Sequence, residues 1–287
     1  DNDTGVLYFF FGGNGGLTTN GVQKMYPYTV GGSSAAGGQF GYALAAGQID
    51  GQGGDDIVVG APSTDTPNQA NVGRVYFYFA GANGITASGA WFRDVTNLPA
   101  NLQTSGDAHL GFSVAVGHMY QGSGRVDVAV GAPQDDYGDQ TDAGAVYLFE
   151  FDDSPDSYDS LKRLRQSQLY DATAASPGDQ FGYALAVGRF DVGLYEDLAI
   201  GAPYEDVTEQ SALGQQFSSG IFHVAYGKEG GPSMFNSDTF DHTTINNFVR
   251  GGDNLGQALC FGRFENDSRQ ALAVGAPGAD WVSYEWQ

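Results

Sequence analysis

The sequence is poor in basic side chains. Its 287 residues carry only 12 lysines and arginines against 34 aspartates and glutamates, which gives a formal net charge of −22. A field of this sign repels nucleic acids and anionic membrane surfaces, so neither is expected as a partner. The acidity suits a soluble extracellular protein, calcium or basic partners, or a saline habitat; alternatively, it serves solubility alone.

Cysteine and long apolar runs are also scarce. The single cysteine, Cys260, excludes an internal disulfide, and its apolar surroundings (LGQALCFG) predict a small buried side chain. No apolar run approaches the roughly 18 residues that span a bilayer, so the chain is not expected to cross a membrane. The chain starts at Asp1 without an initiator methionine or signal peptide, which suggests a processed or excised form.

Helical periodicity is absent from every segment longer than ten residues, except residues 158–168 (YDSLKRLRQSQ). We expect a loop or a single helical turn there. The chain is instead rich in glycine, with 44 residues, and aromatic side chains make up 13%. Short strands closed by glycine turns produce this mixture.

One stretch recurs four times. Residues 181–203 (FGYALAVGRFDVGLYEDLAIGAP) combine a Phe-Gly pair, two apolar runs around an Asp-containing loop, and Gly-Ala-Pro; residues 40–62, 110–133 and 255–277 repeat the plan. Successive copies are separated by 70, 71 and 74 residues, measured between the glycines of the opening pairs. These glycines are Gly41, Gly111, Gly182 and Gly256.

Each repeat indicates four strands. The two apolar runs give strands one and two, and a G-x-V-Y-like segment gives strand three. Units of about 70 residues with four antiparallel strands are typical of a β-propeller. We therefore predict an all-β propeller whose strands one and two are the most buried and line its centre. Strand four is predicted at residues 24–30, 90–95, 167–173 and 238–245.

The repeats divide a single propeller domain, residues 1–287, into blades. Complete blades are predicted at residues 40–109, 110–180 and 181–254. Residues 1–39 supply strands three and four, and residues 255–287 supply strands one and two. The two ends are expected to complete one shared blade, which removes exposed sheet edges and brings the count to four.

The four FG…GAP stretches resemble the FG-GAP repeats of integrin α-subunit propellers, and in style they are closer to secreted integrin-like FG-GAP proteins. The resemblance covers essentially the whole chain. Because the family usually closes seven blades, four blades imply a small closed propeller, a segment of a larger one, or a ring completed by several chains. All three possibilities stay open at this point.

The resemblance also implies calcium in the loop between strands one and two, where the family has the pattern D-x-[DN]-x-D-G-x-x-D. In residues 48–56 the pattern retains Asp50 and Asp56, and in residues 189–197 it retains Asp191 and Asp197. Other ligand positions are lost, and Arg189 begins the later loop. Alternatively, its guanidinium occupies the position of the ion and satisfies the loop carboxylates.

In the family the loops joining strands two to three and four to one share one face, where ligands bind. This implies a binding face of acidic and aromatic side chains, for which the alternative is a solvated acidic surface. The predicted residues are Asp135, Asp136, Tyr137, Tyr204, Glu205, Asp206, Asp280 and Trp281. The acids Asp65, Asp107, Asp139, Asp179 and Asp253 belong to the same loops.

No catalytic constellation is visible: the histidines lack metal-ligand spacing, and there is no G-x-S-x-G motif. The sequence predicts a non-enzymatic module for extracellular or cell-surface binding, adhesion or assembly, with a protein, a glycan or neighbouring subunits as partners. The alternatives are a lectin or carbohydrate-active enzyme, or a fragment of a seven-bladed propeller. Asn2 and Asn266 match the N-glycosylation pattern.

Overall fold

The computed structural model describes residues 3–27, 36–82, 84–87, 89–94, 96–103, 106–120, 125–151, 160–168, 175–208, 215–246, 251–264 and 270–280. In these residues the main sheets are three four-stranded antiparallel blades and two two-stranded half-sheets. Asn2, Asn266 and Trp281 lie outside the described residues.

The complete blades each run from strand one to strand four in chain order. Blade 1 contains β3 (Ala43–Gly47), β4 (Asp56–Ala61), β5 (Arg74–Tyr78) and β8 (Trp91–Arg93). Blade 2 contains β9 (Ser113–Gly117), β10 (Asp127–Ala132), β11 (Ala145–Glu150) and β12 (Ser160–Leu164). Blade 3 contains β13 (Leu185–Gly188), β14 (Asp197–Ala202), β17 (Ile221–Ala225) and β18 (Ser237–Phe240).

The remaining elements are short. The N-terminal half-sheet pairs β1 (Leu7–Gly13) with β2 (Gly16–Met25), and the C-terminal half-sheet pairs β19 (Ala258–Gly262) with β20 (Ala271–Gly275). Two hairpins decorate the blades: β6 (Ala80–Gly81) with β7 (Gly84–Ile85), and β15 (Val207–Thr208) with β16 (Gln215–Gln216). Helical turns occur at Ala100–Leu102, Gln166–Gln168, Met234–Asn236 and α1 (His242–Asn246). No helix in the described part of the chain is long and apolar enough to cross a membrane.

The predicted all-β fold with four-stranded antiparallel blades is confirmed. Two of the four predicted outer strands are misplaced. The outer strand of the N-terminal half-sheet is Gly16–Met25 rather than residues 24–30, and strand four of blade 2 is Ser160–Leu164 and not residues 167–173. In the blade 2 strand, basic residues interrupt the apolar alternation in the sequence, and their side chains lie over aromatic rings. The Lys162 ammonium is 5.6 Å from the centre of the Tyr120 ring, and the Arg163 guanidinium is 5.9 Å from that of Tyr147.

The sheets stack face to face in chain order. Four hydrophobic clusters fill the spaces between the N-terminal half-sheet, the three blades and the C-terminal half-sheet. Between blades 1 and 2, for example, the Phe77 ring lies 4.0 Å from Trp91 and 5.5 Å from Phe149, measured between centroids. Aromatic burial on this scale contributes much of the packing free energy.

The Phe-Gly and Gly-Ala-Pro motifs join each blade to the next. Gly111, whose φ is +90°, donates its N–H to the Gly131 carbonyl within blade 2 at 3.0 Å. Its own carbonyl lies against Gly60 of blade 1, where an added Cβ would be 1.9 Å from the oxygen. Both positions require glycine, one for its backbone conformation and the other for the close approach. The repeat therefore encodes the joint between blades as well as the strands.

Burial is highest in strands two and three, whereas the sequence pointed to strands one and two. In blade 2, β10 is buried throughout and β11 at all but its last residue, while β9 is only partly buried. Strand one has a neighbour on one side only, because it forms the inner edge of its sheet. Its inner position is confirmed by contacts between β3 and β9, β9 and β13, and β13 and β19.

The two half-sheets are not hydrogen-bonded to each other among the described residues. The shared blade expected from residues 1–39 and 255–287 stays a prediction. The prediction of a buried cysteine is wrong. Cys260 is exposed because β19 belongs to the C-terminal half-sheet, whose outward face has no described neighbour.

Candidate functional site

In each complete blade, the last acid of the loop between strands one and two is a buried anchor for backbone N–H groups. Asp127 Oδ2 accepts hydrogen bonds from the N–H groups of Met119 at 2.9 Å and Tyr120 at 3.0 Å, and its Oδ1 accepts one from Phe151 at 3.4 Å. Asp56 and Asp197 do the same in blades 1 and 3. Each carboxylate therefore fastens its loop to the end of strand three.

Burial works against the charge on these anchors. It raises the pKa of Asp127 to about 7, although the N–H groups of Tyr120, Phe151 and Met119 favour the ionised form. The pKa values of Asp56 and Asp197 are raised for the same principal reason. Desolvation disfavours the charged carboxylate, whereas hydrogen bonds from N–H groups favour it.

The first predicted calcium loop is closed by an amide side chain. Gln48 Nε2 donates to the Gly54 carbonyl at 3.0 Å, and Gln48 Oε1 accepts from the Gln52 N–H at 3.1 Å. Asp50 Oδ1 accepts from the same N–H at 2.8 Å. The amide of Gln48 thus bonds to the loop backbone from the position where the family pattern has its first acid.

The second predicted calcium loop also bonds to its own backbone. Asp191 Oδ1 accepts from the Gly193 N–H at 2.6 Å, and Arg189 Nη2 donates to the Leu194 carbonyl at 3.3 Å. The guanidinium of Arg189 therefore has a backbone carbonyl as its partner, and its contact with the loop carboxylates stays a prediction.

The donor sets of these loops do not match a calcium cage. Both carboxylate oxygens of Asp56 and of Asp197 already accept N–H groups. No group of three or more histidines, cysteines, aspartates or glutamates in the described ranges is arranged to hold a metal ion. Calcium prefers six to eight oxygen ligands, whereas these carboxylates are already engaged by the backbone of their own loops. Calcium at Asp50, Asp56, Asp191 and Asp197 stays a prediction.

Three acids of the predicted binding face hold the loop between strands two and three. Asp136 Oδ1 accepts from the Asp142 N–H at 3.0 Å, and Asp206 Oδ1 accepts from the Ser218 N–H at 2.8 Å. Asp65 occupies the same repeat position in blade 1 and accepts from Asn71 at 2.9 Å. Asp280 is the fourth member of this set and is exposed.

The acids one position earlier, which were predicted to belong to the binding face, point inward and are buried. Asp135 is fully buried and forms an ion pair with Arg165 Nη2 at 2.8 Å. Glu205, only 5% exposed, accepts from Gln166 Nε2 at 2.5 Å and is hydrogen-bonded to Asp179. These side chains turn inward because cationic or amide partners on strand four or the turn after it compensate their burial.

The Asp179–Glu205 contact is a pair of buried carboxyl groups. Burial and the neighbouring charge of Asp179 raise the pKa of Glu205 to about 9. Burial also raises the pKa of Asp179, to about 6. The pair therefore holds a proton at neutral pH, because two carboxylates in direct contact cannot both ionise cheaply.

The aromatic members of the face remain accessible. Tyr137 is exposed, with the Arg165 guanidinium 4.9 Å from its ring centre, and Tyr204 is half-buried. Tyr204 ends a row that the sequence prediction missed. Ring centroids are 5.1 Å apart from Tyr42 to Phe112, 4.7 Å from Phe112 to Tyr183, and 5.9 Å from Tyr183 to Tyr204.

In this aromatic row (Tyr42, Phe112, Tyr183 and Tyr204), the first three rings lie just before the inner strands of the three complete blades, and Tyr204 lies in the loop after β14. Its first three members directly follow the glycines of the opening pairs, and the fourth repeat has Gln257 there. The signal was thus present in the sequence as an aromatic residue at one repeat position. Tyr42 is exposed, and the other three rings are half-buried. The row runs across three consecutive blades.

Comparisons with known proteins find integrin α-subunits. Integrin alpha-PS2 of Drosophila melanogaster is 31% identical over 175 residues, which cover 59% of this chain and 12% of that protein. Integrin alpha-3 of Mus musculus is 31% identical over 170 residues, covering 58% of this chain and 14% of that protein. No protein-family model matches the chain.

A relative with an enzyme name covers more of the chain. Phosphatidylinositol-glycan-specific phospholipase D of Homo sapiens is 26% identical over 243 residues, or 83% of this chain and 26% of that protein. The chain thus spans between 12% and 26% of the length of these three relatives.

Proposed function

Since this chain carries the FG-GAP propeller repeats of the integrin α-subunit family, we propose that it is a non-enzymatic binding module. It works outside the cell or at its surface and engages a protein or glycan partner. The blades hold the contact loops on a rigid scaffold, which is the usual division between fold and function.

The aromatic row is the observation that carries the proposal. An exposed or half-buried ring contributes less to folding than a buried one, so a row of such rings across three blades needs another explanation. Aromatic rings give large, rigid contact surfaces to proteins and sugars alike. The net charge of −22 favours partners with basic groups.

Binding to arrays of glycans and of extracellular protein domains tests the proposal. The change Tyr42→Ala removes the most exposed ring of the row, and Phe112→Ala removes its neighbour. We expect either change to weaken a detected interaction at least tenfold. Phe235→Ala, an exposed aromatic in blade 3 outside the row, is the matched control.

Two results would contradict the proposal. One is a partner whose affinity is unchanged in both row variants, and the other is the absence of any partner on either array. Repeating the arrays with EDTA tests the calcium prediction separately. Loss of binding or of thermal stability on chelation supports an ion in the loops at Asp50 or Asp191, and an unchanged response argues against one.

A carbohydrate-active enzyme is the second candidate, and the Asp179–Glu205 pair is where it would be sought. Retaining and inverting glycosidases hold their two carboxyl groups roughly 5 to 9 Å apart, on either side of an accessible sugar. Here the two groups are hydrogen-bonded and buried. This geometry favours a structural pair over a catalytic one, and hydrolysis assays on the array glycans test it directly.

A segment of a larger seven-bladed propeller is compatible with the small share of each relative that the chain covers. The binding proposal is unaffected by this alternative, because the aromatic row lies within three complete blades.

A further inference from the structure

Glu205 and Asp179 form a buried acidic contact between blades 2 and 3. The two residues are 5% and 1% exposed, and their side chains are hydrogen-bonded to each other. Asp206 lies close enough to add its negative charge to both. Of the lysines and arginines in the described ranges, none forms an ion pair with Glu205 or Asp179. Buried carboxylates are unfavourable unless another group compensates their charge.

In blade 2 the same repeat position is compensated by arginines. Asp135 corresponds to Glu205, since each lies two residues after the proline of Gly-Ala-Pro. Asp135 Oδ2 is 2.8 Å from Arg165 Nη2 and 3.9 Å from Arg163 Nη1. Strand four and the residue that follows it thus supply the positive charge that this buried acid requires.

Blade 3 has no arginine at either of these positions. By strand pairing, Thr239 of β18 occupies the position that Arg163 has in β12. Two residues later, Asp241 occupies the position of Arg165. Glu205 is therefore a buried acid whose two basic partners are replaced by a neutral residue and an acidic one, so its charge must be compensated in another way.

Gln166 brings an unsatisfied amide oxygen to the same contact. Gln166 is fully buried, and its Nε2 donates to Glu205 Oε2 at 2.5 Å. Its Oε1 is bonded to the same amide carbon as that nitrogen, and it has no hydrogen-bond donor among the described residues. A buried acceptor without a partner is unfavourable. A cation is a partner that an amide oxygen and two carboxylates can share.

We propose that Glu205, Asp179 and Gln166 form a calcium site. The two carboxylates balance the charge of one divalent cation, which replaces the proton that they otherwise share. Each carboxylate offers two oxygens and the amide offers one, and a backbone carbonyl or water completes the six to eight that calcium takes. Magnesium keeps several waters in a strict octahedron, for which so buried a contact has little room, so calcium is favoured.

The site differs in place and composition from the predicted calcium loops. It lies beyond the opposite ends of the strands, whereas those loops join strands one and two. Its third ligand is an amide, so it is not a cluster of three or more acids, histidines or cysteines, which the described residues do not contain.

Calcium at this site links two blades. Gln166 follows strand four of blade 2, whereas Asp179 precedes strand one of blade 3 and Glu205 follows its strand two. An ion bound by all three stabilises the folded chain as its concentration rises. At ten times the dissociation constant, the folding equilibrium constant increases about tenfold.

Calorimetric titration with CaCl₂ of the full chain, first freed of metal with EDTA, tests the site. We expect an ion that binds with a dissociation constant of about 1 mM or tighter. Glu205→Gln removes a charge and Gln166→Leu removes the amide oxygen, both at nearly constant volume, and each should weaken binding at least tenfold. Asp139→Asn, which changes an exposed acid of blade 2, is the matched control and should leave the affinity unchanged.

Urea unfolding of the same chains distinguishes a missing ligand from a chain that fails to fold. Each variant should unfold cooperatively in EDTA. CaCl₂ should then stabilise the wild type and Asp139→Asn, but not Glu205→Gln or Gln166→Leu. Asp241→Arg supplies a converse test, because it restores the arginine of blade 2 at the equivalent position and should make stability independent of calcium.

Three outcomes would overturn the proposal. The absence of binding at about 10 mM CaCl₂, ten times the expected limit, shows that the shared proton alone neutralises the pair. Unchanged affinity in Glu205→Gln or in Gln166→Leu places the ion elsewhere. Loss of the ion in Asp50→Asn or Asp191→Asn assigns it to the loops between strands one and two. These results leave the binding proposal separate, because that proposal is tested by variants of the aromatic row.

Discussion

Removal of the buried anchor Asp127 is the sharpest test of how the loops are held. The change Asp127→Ala leaves the N–H groups of Met119, Tyr120 and Phe151 without their acceptor in the interior of blade 2. A buried donor without a partner costs about 1–3 kcal/mol, and the third bond is long. We therefore expect a loss of about 3–5 kcal/mol in the free energy of unfolding at pH 5.

The cost should depend on pH, because burial raises the pKa of Asp127 to about 7 from its ordinary value of 3.8. A carboxyl whose pKa is raised in the folded state stabilises the fold at low pH, and this contribution is lost as pH rises through about 7. Between pH 5 and pH 8 the wild-type chain loses about 2–3 kcal/mol through this group. The alanine variant should therefore be penalised less at pH 8 than at pH 5.

Urea unfolding at the two pH values, followed by tryptophan fluorescence, measures both effects. Asp139→Ala, an exposed acid in the same blade, is the control and should change stability by less than about 0.5 kcal/mol. A larger penalty at pH 8 than at pH 5 would show that the N–H groups outweigh desolvation. A penalty below about 1 kcal/mol at both values would refute the anchoring role itself.

Two further changes test a blade joint and the buried carboxyl pair. Gly201→Ala places a Cβ 2.0 Å from the Gly256 carbonyl oxygen, so it should destabilise by about 1–3 kcal/mol or more in urea, whereas Gly230→Ala, with open space around it, should be nearly neutral. Glu205→Gln keeps a neutral side chain beside Asp179; because burial raises the pKa of Glu205, the wild type should lose stability as pH rises from about 5 to 9, and the variant should lose less. Equal slopes in the two chains would contradict the shared proton.

The strands were predictable because the repeat encodes them locally. The glycines of the Phe-Gly and Gly-Ala-Pro motifs mark positions with positive φ or close backbone approach. These glycines lie within a few residues of the ends of strands one and two, so they locate the strands in the sequence. Strand four of blade 2 was not predictable, because Lys162 and Arg163 replace apolar residues there. Their contacts with Tyr120 and Tyr147 depend on strands distant in sequence.

Which of the loop acids are buried could not be predicted, for a related reason. In sequence, Asp135 and Asp136 are adjacent loop acids with equal claims to a binding face. In the fold Asp135 turns inward to Arg165, and Asp136 caps a backbone N–H of its own loop. The basic partner lies 30 residues further along the chain. The tertiary structure decides which acid gains a basic partner, because the position of that partner depends on how strand four packs.

A side chain that recurs in the repeats can serve the fold or a partner, and its exposure helps to distinguish the two roles. Asp56, Asp127 and Asp197 recur and are buried, so their recurrence is explained by the backbone groups they hold. The position occupied by Tyr42 recurs too, yet Tyr42 is exposed, and a backbone joint does not require an aromatic ring there. A partner that covers the row would account for its recurrence. The aromatic residues after the glycines therefore support the binding proposal more directly than the recurring acids do.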